Sequence, residues 1–322
     1  MDEGDRCVFI VTGGCGFIGS NLVRALNDRG EDNILVVDRL TNDNRFRNLA
    51  DCRIADYIDR DDFRERIRTH MNFGPVAAVL HQGACADTLE RDERFMLDNN
   101  FQWTKELFAW CQSASVPLVF ASSAAVYGKS GRFIESGGSE LPLNVYGWSK
   151  LLFDLWLRRR LHDLHAPVVG LRYFNVYGQR EDRKGRMASV VHHFDRQIRD
   201  QDAVQLFAAS HGYGDGEQRR DFIFVGDVVK VNMWACGGTA PSGIYNVGTG
   251  RSRSFNDVAR TVIDWHQTGA IEYIPFPKDL LSAYQPITEA DLTQLRAAGY
   301  TQGFAPIEEG VKMTLDLRAQ PD

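Results

Sequence analysis

Five short, nearly all-apolar runs recur along the chain: CVFIVT at 7–12, ILVVD at 34–38, AAVLH at 77–81, PLVFASS at 117–123 and VVGLRYF at 168–174. They are rich in β-branched residues, as suits strands covered on both faces. Between them lie longer segments whose apolar positions return every three or four residues, such as NLVRALNDRG at 21–30 and NNFQWTKELFAWCQSA at 99–114. That is the period of an amphipathic helix. Strand and helix in alternation, with connections long enough for right-handed crossovers, predict an α/β fold: a doubly wound Rossmann parallel sheet.

After about Asn175 the rhythm loosens. A Gly- and charge-rich stretch, HGYGDGEQRR at 211–220, is followed by short strand candidates DFIFV, IYNVG and IEYI. No linker, repeat or low-complexity segment separates the halves. Residues 1–174 are therefore expected to form mainly the Rossmann domain, and residues 175–322 mainly a second, smaller α/β substrate lobe. The two are expected to interleave around a cleft.

Composition narrows the partners. Hydrophobic residues are 43% and charged residues 25% of 322, enough for a sizeable core and unlike a disordered chain. The net charge of -6 disfavours general affinity for nucleic acid or an anionic membrane, so an anionic ligand must be held by local groups. The acidic start MDEGDRCVFIVT is no signal peptide, and no run approaches the ~18 apolar residues of a membrane helix, so the expected location is the cytoplasm. Six scattered cysteines without a C-x-x-C pair, and the pairs His162/His165 and His192/His193 without further ligands at suitable spacing, suggest no metal site.

Directly after the first strand, Gly13, Gly14, Gly16 and Gly19 contain the spacing Gly14-x-Gly16-x-x-Gly19 and open a helix. Glycines let backbone approach a pyrophosphate, whose charge then meets the free N–H groups of the helix N-terminus. Asp38 ends the next strand, 19 positions beyond Gly19, where an acid meets the adenosine ribose. Asp38 alone favours NAD, whereas Arg39 and Arg45 can hold a 2'-phosphate and favour NADP.

Tyr146 and Lys150 are four apart and share a helix face, with Ser122 and Ser123 at the end of a strand. Oxidation of a hydroxyl needs a base for the proton, and a phenol serves at neutral pH only if a neighbouring cation lowers its pKa. Lys150 is the candidate cation.

Taken together, TGGCGFIGSN, HQGAC, ASSAAVYG, Y-x-x-x-K, RYFNVYG, RRDFIFVGDV and NVGTG resemble the extended short-chain dehydrogenase/reductase family over nearly the whole chain. RIADY, DNN, FIES, PLNVYG, KGRMASV, YIPFP and DLTQLRAAGY are similar, more narrowly, to the ADP-heptose 6-epimerases within it. The resemblance implies inversion at carbon 6 of ADP-D-glycero-D-manno-heptose, a step toward the lipopolysaccharide inner core, by a cofactor regenerated each turnover. It implies two bases, Tyr146 and Lys184, with Ser123 orienting the sugar hydroxyl. Phe17 and Ile18 would flank the pyrophosphate, and Gln82, Gly83, Ala84, Cys85, Ala86, Asn99 and Lys150 would contact the cofactor. Asn175, Val176, Arg186, His193, Phe207, Ser210, Arg220 and Tyr284 would contact the substrate, with Arg220 clamping its diphosphate in bidentate fashion. A homo-oligomer is implied as well.

Ala86, Arg186, Ala208, Ala209 and Arg39 depart from the pattern of those epimerases. Rival readings are a nucleotide-sugar 4-epimerase, a dehydratase or a non-enzymatic dinucleotide sensor. A dehydratase places an Asp-Glu pair after its catalytic Ser or Thr, whereas this chain has Ser122-Ser123-Ala124, and a sensor lacks the intact Tyr and Lys pair.

Overall fold

A computed structural model describes residues 7–41, 44–278, 281 and 284–319. The first half carries strands β1 (Val8–Thr12), β2 (Ile34–Asp38), β3 (Asp56–Asp59), β4 (Val76–His81), β5 (Leu118–Ser123) and β6 (Val168–Tyr173). The second carries β7 (Asn175–Tyr177), β8 (Ala203–Phe207), β9 (Arg219–Arg220), β10 (Phe222–Phe224), β11 (Gly243–Val247), β12 (Arg253–Ser254) and β13 (Ala270–Ile274). The helices are α1 (Phe17–Asp28), α2 (Arg60–Arg68), α3 (Glu93–Met96), α4 (Trp103–Ser113), α5 (Val145–Arg158), α6 (Val190–Gln201), α7 (Val225–Cys236), α8 (Phe255–His266), α9 (Thr293–Ala297) and α10 (Ile307–Ala319). None among the described residues is long and apolar enough to cross a membrane.

The five apolar runs form β1, β2, β4, β5 and β6 of a seven-stranded sheet in the order β11-β6-β5-β4-β1-β2-β3, parallel throughout. Ile10, Val36, Leu80 and Val119 on its strands are buried, as expected of a sheet sandwiched between helices. The chain runs outward from β1 in both directions, so the crevice at the carboxyl ends of β1 and β4 is a topological switch point, where ligands bind in such sheets. Gly13, Asp38, Gln82 and Ser123 stand at or just beyond the carboxyl ends of β1, β2, β4 and β5.

Two strands depart from the reading of the sequence. β3, DYID, is an edge strand too short and polar to stand out as an apolar run. IYNVG, assigned above to the second lobe, supplies β11, which pairs with β6 in the register Tyr245 to Leu171. A parallel partner requires a long crossover, and the residues between 174 and 243 provide one, so the main sheet is completed well past residue 174. The remaining strands form three small pairs, β10 with β7, β12 with β9 and β13 with β8. Around these, α6, α8 and α10 bury Val191, Phe194, Ile198, Val258, Val262, Val311 and Leu315 in a separate apolar cluster.

Candidate active site

A cleft of ≈ 470 Å³ opens at the carboxyl edge of the sheet. Its floor is the turn after β1. Gly13 has φ +67°, and a Cβ there would stand 2.6 Å from the Gly83 nitrogen; a Cβ at Gly19 would run into the Gly13 carbonyl oxygen. Gly13, Gly16 and Gly19 line the cleft, whereas Gly14 faces Val36. The cleft is thus opened by Gly13, Gly16 and Gly19, with Gly14 of the counted spacing packed beneath it. α1 begins at Gly16 with no side-chain cap and no acidic residue in its first turn, which leaves its N–H groups for an anion. Phe17 and Ile18 line the cleft beside them. A cradle that a single Cβ would fill, at a helix N-terminus, fits a dinucleotide pyrophosphate.

Asp38 ends β2 nearly fully buried. Its Oδ2 accepts from the Cys15 N–H at 2.8 Å and its Oδ1 from the Arg39 N–H at 2.7 Å, with Arg45 Nη1 at 3.6 Å. Arg45 also donates to the Arg39 carbonyl at 2.8 Å. An adjoining hollow of ≈ 260 Å³ is lined by Asp38, Arg39, Arg45, Arg60 and Asn99. Arg60, which donates to Asn99 Oδ1, was missed in the sequence: the first residue of a polar helix reads as solvated. Asn48, Arg180 and Arg183 also line the main cleft and were missed.

Gln82, Gly83, Ala84, Cys85 and Ala86 form the opposite wall. Where α3 widens into a π turn at Leu97–Gln102, buried Asn100 accepts from the Cys85 N–H at 2.8 Å. It donates to the Cys85 carbonyl at 2.9 Å and to Ser149 Oγ at 3.0 Å. Ser149 in turn donates to the Tyr146 carbonyl at 2.7 Å, so this wall of the cleft and α5 are tied together.

Asn144 caps α5 by accepting from the Gly147 N–H at 2.8 Å, setting Tyr146 and Lys150 one turn apart and both on the cleft. Burial pushes the Tyr146 phenol up from its ordinary pKa, and the Ser123 hydroxyl beside it pulls it back. Lys150 Nζ instead donates to the Ala121 carbonyl at 2.9 Å. Burial brings this lysine down to about 8, against the pull of the Asp154 carboxylate one turn on. One of the three ammonium donors of Lys150 is thus used by the strand carbonyl, and Ser123 is the group whose hydrogen bond favours the ionised Tyr146.

Lys184 enters from the second half of the chain, on a 3-10 segment at Asp182–Met187. Its Nζ lies 4.9 Å from the centroid of the Phe17 ring, and it lines the same cleft as Tyr146. Burial lowers its pKa while Glu181 raises it.

The expected substrate contacts divide. Val176 lines the cleft. Arg186 does not; it is exposed and pairs with Asp87, a residue of the cleft rim, at 2.6 Å. Asn175 is exposed, and His193 faces His192 with ring centroids 5.6 Å apart. Phe207, Ser210, Arg220 and Tyr284 gather elsewhere: the Arg220 guanidinium lies 4.8 Å from the Tyr284 ring, and Phe276 touches both Phe207 and Tyr284. Ser210 Oγ accepts from Gln218 at 2.9 Å.

Comparison with known proteins agrees with this geometry. The model of the NAD dependent epimerase/dehydratase family matches residues 9–248. An ADP-L-glycero-D-manno-heptose-6-epimerase of Alkalilimnicola ehrlichii is 57% identical over 312 residues, 97% of this chain and 98% of that protein. Among solved structures, the ADP-L-glycero-D-manno-heptose-6-epimerase of Helicobacter pylori is 29% identical with a TM-score of 0.83, covering 99% of this chain and 98% of that one. The UDP-glucose 4-epimerase of Thermus thermophilus, in complex with NAD, is 30% identical with a TM-score of 0.79, covering 97% and 99%. Matched by the family model over most of its length, and by the A. ehrlichii relative over nearly all of it, the chain belongs to the NAD dependent epimerase/dehydratase family.

Proposed function

We propose that this nucleotide-sugar epimerase inverts carbon 6 of the heptose in ADP-D-glycero-D-manno-heptose, giving the L-glycero epimer for the lipopolysaccharide inner core. The observation that carries this reading is the convergence of Tyr146 and Lys184, from separate elements, on the one cleft that holds the glycine turn. The 57% identity to a heptose epimerase supports the substrate.

A hydrogen on a carbinol carbon is not acidic, so inversion by simple deprotonation fails. A nicotinamide dinucleotide, when bound, supplies reversible oxidation at that carbon, which makes it planar. Gly13, Gly16, Gly19 and the start of α1 would hold its pyrophosphate, and Asp38 its adenosine end. The hydroxyl points oppositely in the two epimers, so one base cannot serve both without movement of the sugar. Tyr146, oriented by Ser123, takes or gives the proton on one side, and Lys184 on the other. Arg220 is suited to the substrate diphosphate.

NADP is the proposed cofactor, with NAD the alternative. Both Asp38 oxygens already accept backbone N–H groups, Arg45 lies beside the carboxylate, and Arg39 and Arg60 line the same hollow, an arrangement suited to a 2'-phosphate. A cytoplasmic homo-oligomer completes the proposal.

Substitution tests the two-base scheme. Tyr146→Phe and Lys184→Met should each slow epimerisation by about 10²–10⁴-fold, with the proton transfer of one direction affected in each. Full, equal activity in both variants would refute it.

A further inference from the structure

The segment that presents Lys184 is poorly fixed by its own backbone. It is a short 3-10 turn broken at Gly185, where φ is 53° and ψ -130°. What closes it is the fully buried carboxylate of Glu181. Oε1 accepts from Ser189 Oγ at 2.7 Å and from the Gly178 N–H at 3.2 Å, and Oε2 accepts from the Ser189 N–H at 2.7 Å. Gly178 follows β7 and Ser189 caps α6, so one side chain pins both ends of the loop. The Lys184 N–H donates to the Glu181 carbonyl at 2.9 Å.

Most of the other charges nearby are engaged elsewhere. Asp182 pairs with Arg318 of α10 and lies 3.6 Å from His192 of α6. Arg186 pairs with Asp87 on the opposite rim, and Arg180 with Asp51 at 2.6 Å. Arg183 lines the cleft, and α1 presents the Phe17 ring rather than a charge. Resting on the two-base reading above, we infer that Glu181 is a positioning residue: by pinning both ends of the loop it holds Lys184 in the cleft. Held there, the Lys184 amine is buried, which favours the neutral form that a base needs.

The test is a ¹³C NMR titration of full-length protein labelled at lysine Cε. The chain has seven lysines, and the Lys184 resonance is assigned by its loss in Lys184→Met. Glu181→Asp keeps the charge but draws the carboxylate back from Gly178 and Ser189; as the loop loosens and Lys184 meets solvent its midpoint should rise, and the acid limb of the rate should move up with it in the direction where Lys184 accepts the proton. Glu181→Gln keeps the size and one acceptor, so it should give a smaller rise and serves if the Asp variant does not fold; a fall instead would overturn the positioning role and leave the carboxylate acting only as a charge. An unchanged midpoint in either folded variant, with only a lower Tm, would overturn the inference. The titration reads Lys184 whether or not the heptose turns over, so failure of the substrate reading appears separately, in the wild-type turnover assay.

Discussion

Arg172 Nε lies 2.8 Å from Asp154 Oδ2, and neither side chain reaches solvent. The same carboxylate oxygen accepts from Ser122 Oγ at 2.9 Å, beside Ser123, and Asp154 stands one turn beyond Lys150 on α5. The ion pair thus links the ends of β5 and β6 to α5, the helix of Tyr146 and Lys150. Glu140 completes it by accepting from both Arg172 and Arg158.

Arg172→Met leaves the buried Asp154 carboxylate without its paired guanidinium and with the Ser122 hydroxyl as its remaining hydrogen-bond donor. Loss of one member of such a pair costs about 3–5 kcal/mol, and replacing both by apolar residues costs much less. Chemical denaturation should show a loss of that size for Arg172→Met and partial recovery in Arg172→Met/Asp154→Leu. A loss near zero in the single variant would mean that the pair does not anchor the helix.

Gly19→Ala places a methyl group against the Gly13 carbonyl. The turn must open, and the pyrophosphate cradle with it. Mass spectrometry of the purified variant should find little bound dinucleotide, while circular dichroism stays close to wild type. Retention of the full wild-type content would contradict the cradle.

Much of this was legible in the sequence because the signals are local. Buried parallel strands must be apolar, so β1, β2, β4, β5 and β6 announced themselves, and glycine spacing with Asp38 marked the dinucleotide end. β3 carries too little apolar character to be seen, and the place of β11 depends on which distant strand it joins. Arg60 and Arg180 look like any exposed arginine until the fold turns them onto a cleft. Tyr146 and Lys150 could be paired from helical spacing, but not the bond from Lys150 to the Ala121 carbonyl, which depends on how β5 meets α5. Lys184 carried no signal of its own and emerged through resemblance alone. The cluster of Phe207, Ser210, Arg220 and Tyr284 is assembled from segments far apart in the chain.

Cofactor preference should depend on Arg45. Arg45→Ala removes a cation 3.6 Å from Asp38, and a charge-assisted contact to a phosphate contributes roughly 1.5–3 kcal/mol. The ratio of Kd for NADP to Kd for NAD should rise by about tenfold or more, measured by fluorescence or calorimetry on cofactor-stripped protein. An unchanged ratio would remove Arg45 from cofactor selection.

Lys150 carries its charge below its pKa of about 8 and sheds it above. A dinucleotide is anionic, so its affinity for the stripped protein should fall as pH rises through that value. Bound anion in turn raises the lysine's pKa. Titration of Kd against pH should show the fall in wild type and a flat response around pH 8 in Lys150→Met. The same slope in both proteins would assign the dependence to another group.

The most direct measurement is ¹H NMR of ADP-D-glycero-D-manno-heptose mixed with purified protein and no added cofactor. Conversion to the L-glycero epimer, with a nicotinamide dinucleotide released from the protein on denaturation, is the expected result. No conversion by protein that still holds its dinucleotide would contradict the heptose reading and move the substrate to another nucleotide sugar.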